Sequence, residues 1–272
     1  MRKYDIALTI AGSDPSGGAG LQADLKTFSA LGVYGATAIV AIVDENTMGV
    51  YDVHPVPVDF VVGQIRSVLD DIGADAVKIG MLHDSELIRA VKDTLAEYKG
   101  LTNIVVDPVM VATSGDALLV PEAVATLRDE LIPYSRLITP NLPEASMLLG
   151  SKIFAEDQLE DAARQLSANA GGRVSVMLKG GHLADDTLVD VFYNAETGKS
   201  LRLSTPKVDT VNTHGTGCTL SSAIAAWLAK GADLTSAVVK AKDYINRAIM
   251  AGAEYKIGKG HGPVNHFHEL WT

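Results

Sequence analysis

With 272 residues and 47% hydrophobic content, the chain is long enough to bury a substantial core, and its slightly positive mean hydropathy excludes a disordered polymer. A formal charge of −10, with acidic residues spread along the chain, argues against DNA or another polyanion as a general partner. The single cysteine excludes an internal disulfide, no apolar run reaches bilayer length, and Met1 to Asp5 lead into a strand-like run without a cleavable signal pattern, so a reducing, cytoplasmic setting is expected.

In chain order, β-branched runs predict buried strands at Ile6 to Ile10, Ala36 to Val43, Ala76 to Ile79, Asn103 to Val106, Arg136 to Thr139 and Val174 to Leu178. Between them, apolar residues three and four apart predict helices over Gly20 to Leu31, Asp59 to Ile72, Glu86 to Tyr98, Pro121 to Leu131 and Leu159 to Ala168. Thr187 to Tyr193 and Leu201 to Ser204 flank Asn194-Ala195-Glu196-Thr197-Gly198 and read as a hairpin, an antiparallel edge. Two helices, Cys218 to Lys230 and Leu234 to Tyr255, precede an irregular tail. The alternation predicts one α/β domain over residues 1–272, a central mainly parallel sheet with helices on both faces.

In such sheets ligands gather beyond the carboxyl ends of the strands. Those ends read Gly12-Ser13-Asp14, Asp44-Glu45-Asn46, Gly80-Met81, Asp107-Pro108, Pro140-Asn141 and Lys179-Gly180-Gly181-His182. The most informative segment is Asn212-Thr213-His214-Gly215-Thr216-Gly217-Cys218, which sets glycines and the only cysteine at the mouth of a helical pattern. Glycines allow close approach, and an N-terminal turn offers unpaired amides for phosphate oxygens. A thiol there would have its thiolate favoured by the same field; the alternative is a small buried hydrophobe.

Ala11-Gly12-Ser13-Asp14-Pro15-Ser16-Gly17-Gly18-Ala19-Gly20, followed by Gln22 to Thr27, resembles the opening of the hydroxymethylpyrimidine/phosphomethylpyrimidine kinases of thiamine biosynthesis, members of the ribokinase superfamily. The likeness continues in order through Lys78 to Leu82, Asp107 to Met110, Thr139 to Ala145, Lys179 to His182, Asn212 to Thr219 and Gly258 to His268. It implies a ribokinase-like fold, a homodimer, and ATP and Mg²⁺ as cosubstrate and metal. The implied reaction is phosphorylation of 4-amino-5-hydroxymethyl-2-methylpyrimidine on its hydroxymethyl oxygen, then of the monophosphate to the diphosphate.

By the same resemblance, Gly215, Thr216 and Gly217 hold the transferring phosphoryl group and Cys218 takes the hydroxyl proton. That role requires the helix terminus to lower the thiol from its usual value. Lys179 carries positive charge to the nucleotide phosphates, with Thr139, Asn141 and Thr216 beside it. Asp107 and Glu144 hold Mg²⁺ largely through waters; independently, Asn141 and Glu144 have the spacing of a helix cap. Gly12, Asp24, Glu45, Met81 and Val109 build the pyrimidine pocket, although Asp24 also reads as a helix-surface acid. The family pattern commonly has Gln-Asn-Thr where this chain has Glu45-Asn46-Thr47. An ionised glutamate offers acceptors only, so pairing with the same edge requires a protonated ring nitrogen, a protonated glutamate or a different ligand; the expectation is the same pyrimidine bound with its ring nitrogen protonated.

The nearest rival is a pyridoxal or pyridoxine kinase; a non-catalytic pyrimidine sensor has little need of Asp107, Glu144, Lys179 and Cys218 together. The first glycine-rich turn lacks the Gly-x-Gly-x-x-Gly order of a dinucleotide site. His266 and His268 invite a metal reading, but a tail packed beside the site accounts for them better. Met110 to Leu119 has the character of a lid.

Overall fold

The structure is a computed structural model that describes residues 3–110, 119–153, 155–181 and 187–271. In chain order it runs β1 (Ile6–Ala11), α1 (Gly20–Ala30), β2 (Tyr34–Ile39), β3 (Ala41–Asn46), β4 (Gly49–Pro55), α2 (Val58–Asp71), β5 (Ala76–Ile79), α3 (Ser85–Ala96) and β6 (Ile104–Val106). There follow α4 (Pro121–Thr126), β7 (Leu137–Ile138), α5 (Leu142–Leu149), α6 (Leu159–Asn169), β8 (Ser175–Leu178), β9 (Thr187–Asn194), β10 (Lys199–Pro206), α7 (Thr216–Ala229) and α8 (Leu234–Gly252). His182 and most of the Met110 to Leu119 segment lie outside the described residues.

Among the described residues, eight strands form one sheet in the order β10-β9-β8-β7-β6-β5-β1-β2. Pairing is parallel from β2 through β1, β5, β6 and β7 to β8, and antiparallel from β8 through β9 to β10. This is the α/β architecture with an antiparallel edge that the alternation predicts. Side chains alternate across each strand, so the sheet buries two apolar layers. Leu8, Ile10, Val77, Ile79, Val106 and Val176 pack with α2, α3, α5 and α6. Ala7, Ala76, Val105, Met177 and Phe192 pack with α1, α7 and α8 on the other face.

One strand expectation is corrected. Ala36 to Val43 is not a single strand: β2 stays in the main sheet, and after Val40 the chain turns into β3, which pairs antiparallel with the unforeseen β4. The Val40 amide donates to Ala11 O at 3.1 Å, while Val40 O accepts from Val56 at 3.0 Å, so that residue is the junction. No glycine or proline marks the change, and an apolar run does not reveal a change of pairing partner. Asp44, Glu45 and Asn46 therefore lie within β3 instead of after a strand. The helix expected over Pro121 to Leu131 is α-helical only to Thr126, then widens into a π turn over Leu127–Leu131 and a 3-10 turn over Ile132–Tyr134. Helix α7 begins at Thr216, two residues before Cys218, and α8 ends at Gly252.

Candidate active site

The parallel topology brings the carboxyl ends of β1, β5, β6, β7 and β8 to one edge, and with them Gly12, Gly80, Asp107, Thr139 and Lys179. Two helices aim their N-termini there. Neither α1, which follows Ala19, nor α7, which follows Gly215, has a side-chain cap among the described residues. Leu21 N of α1 is taken by Gly12 O at 3.0 Å and Thr216 N of α7 by Thr213 O at 3.3 Å, whereas the Gly217 and Cys218 amides of α7 meet no acceptor among the described residues and face outward for an anion. The loops leading into the two helices touch. Gly215 adopts φ +77°, and a Cβ on it would stand 1.8 Å from Gly18 O, so only glycine lets the loops approach so closely.

Cys218 is half-buried in the first turn of α7, with the Gly20 amide at the start of α1 near enough to its sulfur to favour the thiolate. The expected lowering of its pKa is not found. Burial pushes the thiol up to about 11; Lys78 and the Gly20 amide favour the thiolate, but Asp24 and Asp107 oppose it. Without ligands Cys218 is a thiol at neutral pH.

Asp107, 2% exposed, follows β6. Thr139 Oγ1 donates to its Oδ1 at 2.9 Å and Lys179 Nζ to the same oxygen at 3.2 Å, while Ser221 Oγ approaches Oδ2 at 3.4 Å. A side chain at Gly217 would lie 3.2 Å from Lys179 Nζ and 3.4 Å from Asp107 Oδ2, so this pair adjoins the first turn of α7. Burial works to raise Asp107, but Lys179, Lys78 and the Thr139 hydroxyl hold it below the usual carboxylate range. Asn141 and Glu144 form the reciprocal cap predicted from their spacing: Glu144 N donates to Asn141 Oδ1 at 2.9 Å and Asn141 N to Glu144 Oε2 at 2.8 Å. The cap does not remove Glu144 from the site, since its carboxyl senses both Lys179 and Asp107; burial raises its pKa. Two buried carboxyl groups beside Lys179 are a donor set suited to a largely hydrated Mg²⁺.

Across the strand ends, Met81 Cε lies 2.9 Å from where a Cβ on Gly12 would stand, with Val43 at 3.6 Å, and half-buried Val109 packs against the same core layer. Glu45 reaches this corner from β3 and meets Asp14 and His214, its carboxyl lying within 4.8 Å of their polar atoms. Asp14 organises the loop: Ser16, Gly18 and Ala19 donate their amides to it at 2.7, 2.9 and 2.6 Å, and His214 Nε2 lies 2.8 Å away. Burial works to raise Asp14, but these partners hold it far below the usual range; Asp14 in turn raises His214 against its own burial. Burial and the Asp14 charge push Glu45 up to about 7. A carboxyl neutral in about half the molecules at pH 7 offers one donor and one acceptor, as glutamine does. Of the two protonations that would let Glu45 meet an aminopyrimidine edge, on the ring nitrogen or on the carboxyl, this raised value favours the carboxyl.

Asp24 is neither on the helix surface nor open to a ligand. It is fully buried between α1, β5 and α7, where Lys78 Nζ donates to it at 2.9 and 3.0 Å, Thr9 Oγ1 at 2.6 Å and Ser222 Oγ at 2.5 Å. Lys78, also fully buried, is held charged by Asp24 in spite of its burial. Sequence reasoning assigned no role to Asp14, His214 or Lys78. The signal for Lys78 was present: a lysine inside Ala76-Val77-Lys78-Ile79, a strand buried on both faces, must have a partner. In the tail, His266 Nε2 lies 3.0 Å from Thr219 Oγ1, so this segment packs beside the Cys218 turn.

A mainly parallel sheet whose strand ends gather two helix N-termini, a thiol and a lysine–carboxylate pair defines a small-molecule kinase of ribokinase-like fold. The description of the phosphomethylpyrimidine kinase family matches residues 14–265. A hydroxymethylpyrimidine/phosphomethylpyrimidine kinase of Rhizobium meliloti (strain 1021) is 51% identical over 266 residues, covering 98% of each chain. A thiamine biosynthesis bifunctional protein of Geobacter sulfurreducens is 46% identical over 259 residues, covering 95% of this chain and 51% of that protein. Among solved structures, an ADP complex of Bacillus subtilis pyridoxal kinase is similar with a TM-score of 0.89 at 40% identity, covering 99% of this chain and 100% of that one. The chain belongs to the phosphomethylpyrimidine kinase family.

Proposed function

We propose that this kinase transfers the γ-phosphoryl group of ATP to the hydroxymethyl oxygen of 4-amino-5-hydroxymethyl-2-methylpyrimidine, and a second phosphoryl group to the monophosphate, in thiamine biosynthesis. The observation that carries this reading is the meeting of the α1 and α7 N-termini at Cys218, beside Lys179 and Asp107 on one side and Glu45, Met81 and Gly12 on the other. An acceptor alcohol between the two groups would have open amides for the phosphoryl oxygens and a sulfur for its proton. Phosphoryl transfer gains most from this kind of preorganised positive field.

Gly215, Thr216 and Gly217 receive the transferring group on their amides, and Lys179, Thr139 and Asn141 line the nucleotide phosphates. Asp107 and Glu144 would hold Mg²⁺, which supplies positive charge to the phosphate oxygens when bound. Cys218 accepts the hydroxyl proton as thiolate, the form that Lys78 and the helix amides favour, so turnover rises with pH above neutrality. Met81, Val109 and Gly12 enclose the ring, and a protonated Glu45 pairs with its amino-nitrogen edge as a glutamine amide would. Asp24 contributes through Lys78, beneath the pocket.

We further propose a single kinase domain, a cytoplasmic setting and a homodimer. The β3–β4 ribbon supports the dimer, since Ile42, Met48 and Tyr51 are 49%, 59% and 61% exposed on it. No helix among the described residues is long and apolar enough to cross a membrane.

A second reading, pyridoxal kinase activity, is favoured by the likeness to the pyridoxal kinase. A coupled ATPase assay with the aminopyrimidine alcohol, its monophosphate and pyridoxal as acceptors separates the two. Turnover of both pyrimidines with a diphosphate product is expected; turnover of pyridoxal alone would overturn the thiamine assignment.

A further inference from the structure

Asp190 lies in the middle of β9, in the run Leu188-Val189-Asp190-Val191-Phe192, and is only 4% exposed. A carboxylate in an apolar strand is costly unless its charge is balanced and its lone pairs are used. Lys242, from α8, meets that need with Nζ 2.8 Å from Asp190 Oδ2. The other oxygen, Oδ1, accepts the Gly180 amide at 2.8 Å. Gly180 immediately follows Lys179, and a Cβ on Gly180 would stand 1.9 Å from Val189 O, so the backbone there is pressed against β9.

The peptide units around Lys179 are thus fixed on both sides. Its own amide donates to Pro140 O at 2.9 Å, next to Asn141, and the following amide is held by Asp190. From that anchored backbone the side chain reaches Asp107 at 3.2 Å. We infer that Asp190, charge-balanced by Lys242, is a positioning residue that aims the Lys179 side chain at the nucleotide phosphates. It touches neither the pyrimidine corner nor Cys218, and its effect falls on one substrate only. The inference rests on the proposed phosphate role of Lys179.

The test compares two double variants that both remove the buried charges, so that neither strands an unpaired ion. Asp190→Asn with Lys242→Met keeps an oxygen for the Gly180 amide; Asp190→Ala with Lys242→Met does not. The first is expected to keep the ATP KM within about threefold of the parent, and the second to raise it by about tenfold, with the pyrimidine KM unchanged in both. Equal ATP KM values in the two variants, or a rise shared by both substrates, would overturn the positioning role. Lys179→Met is measured alongside. If it leaves the ATP parameters unchanged, the phosphate role of Lys179 fails, whereas a large effect there with no difference between the two double variants refutes Asp190 alone.

Discussion

Adjacent serines on α7 serve two different lysine–carboxylate pairs. Ser222 donates to Asp24, whose partner Lys78 is sealed in the core with both side chains at 0% exposure; Ser221 approaches Asp107, whose partner Lys179 is 17% exposed. In the sealed pair the carboxylate receives Thr9, Ser222 and both contacts from Lys78. In the open pair, Asp107 is the one hydrogen-bond acceptor that Lys179 Nζ reaches among the described residues, which leaves ammonium donors for a ligand. The same chemistry serves as scaffold where closed and as a site where a face stays open.

Removing the lysine from each pair should break the molecule in different ways. Lys78→Met strands the Asp24 charge and is expected to cost about 3–5 kcal/mol of stability, read from urea unfolding. Lys179→Met leaves Asp107 the Thr139 hydroxyl and the field of Lys78, so it is expected to cost less, about 1–3 kcal/mol, and to lower kcat/KM for ATP about a hundredfold. Similar unfolding midpoints for the two variants would erase the contrast between closed and open pairs.

A smaller effect sharpens the distinction on the acceptor side. Because Glu45 is raised in the folded protein, its contribution to stability is fully present below its ordinary value near 4.5 and is lost as pH rises through about 7. Relative to the parent, Glu45→Gln should therefore gain in melting temperature between about pH 4 and pH 8. The parent's pyrimidine KM should climb above pH 7, by about tenfold per unit at the limit, and the variant's should not. Parallel KM profiles would show that the Glu45 proton takes no part in binding.

Most of the sheet was legible because buried parallel strands leave mostly apolar runs and short loops, as at Ile104–Val106 and Ile6–Ala11. The β2–β3 junction was not, since hydrophobicity reports burial and not the identity of the partner strand. Site residues next to glycine turns were found by their place in the chain. Asp24 was placed in the pocket because sequence does not reveal which face of α1 meets Lys78. His214 escaped because its partners, Asp14 and Glu45, are remote in sequence. Lysine and aspartate inside apolar strands, Lys78 and Asp190, were readable as buried charges, though their counterions come from helices far along the chain.

The account stands most directly on Cys218 as the proton acceptor at the phosphoryl site. The decisive measurement is the pH dependence of kcat for the parent and for Cys218→Ala, with ATP and the aminopyrimidine alcohol saturating. The account predicts a parent rate that rises with pH above neutrality, and a variant slower by about 10²–10⁴ that still binds nucleotide and has lost the rise. A Cys218→Ala enzyme within threefold of the parent, with the same pH profile, would contradict it.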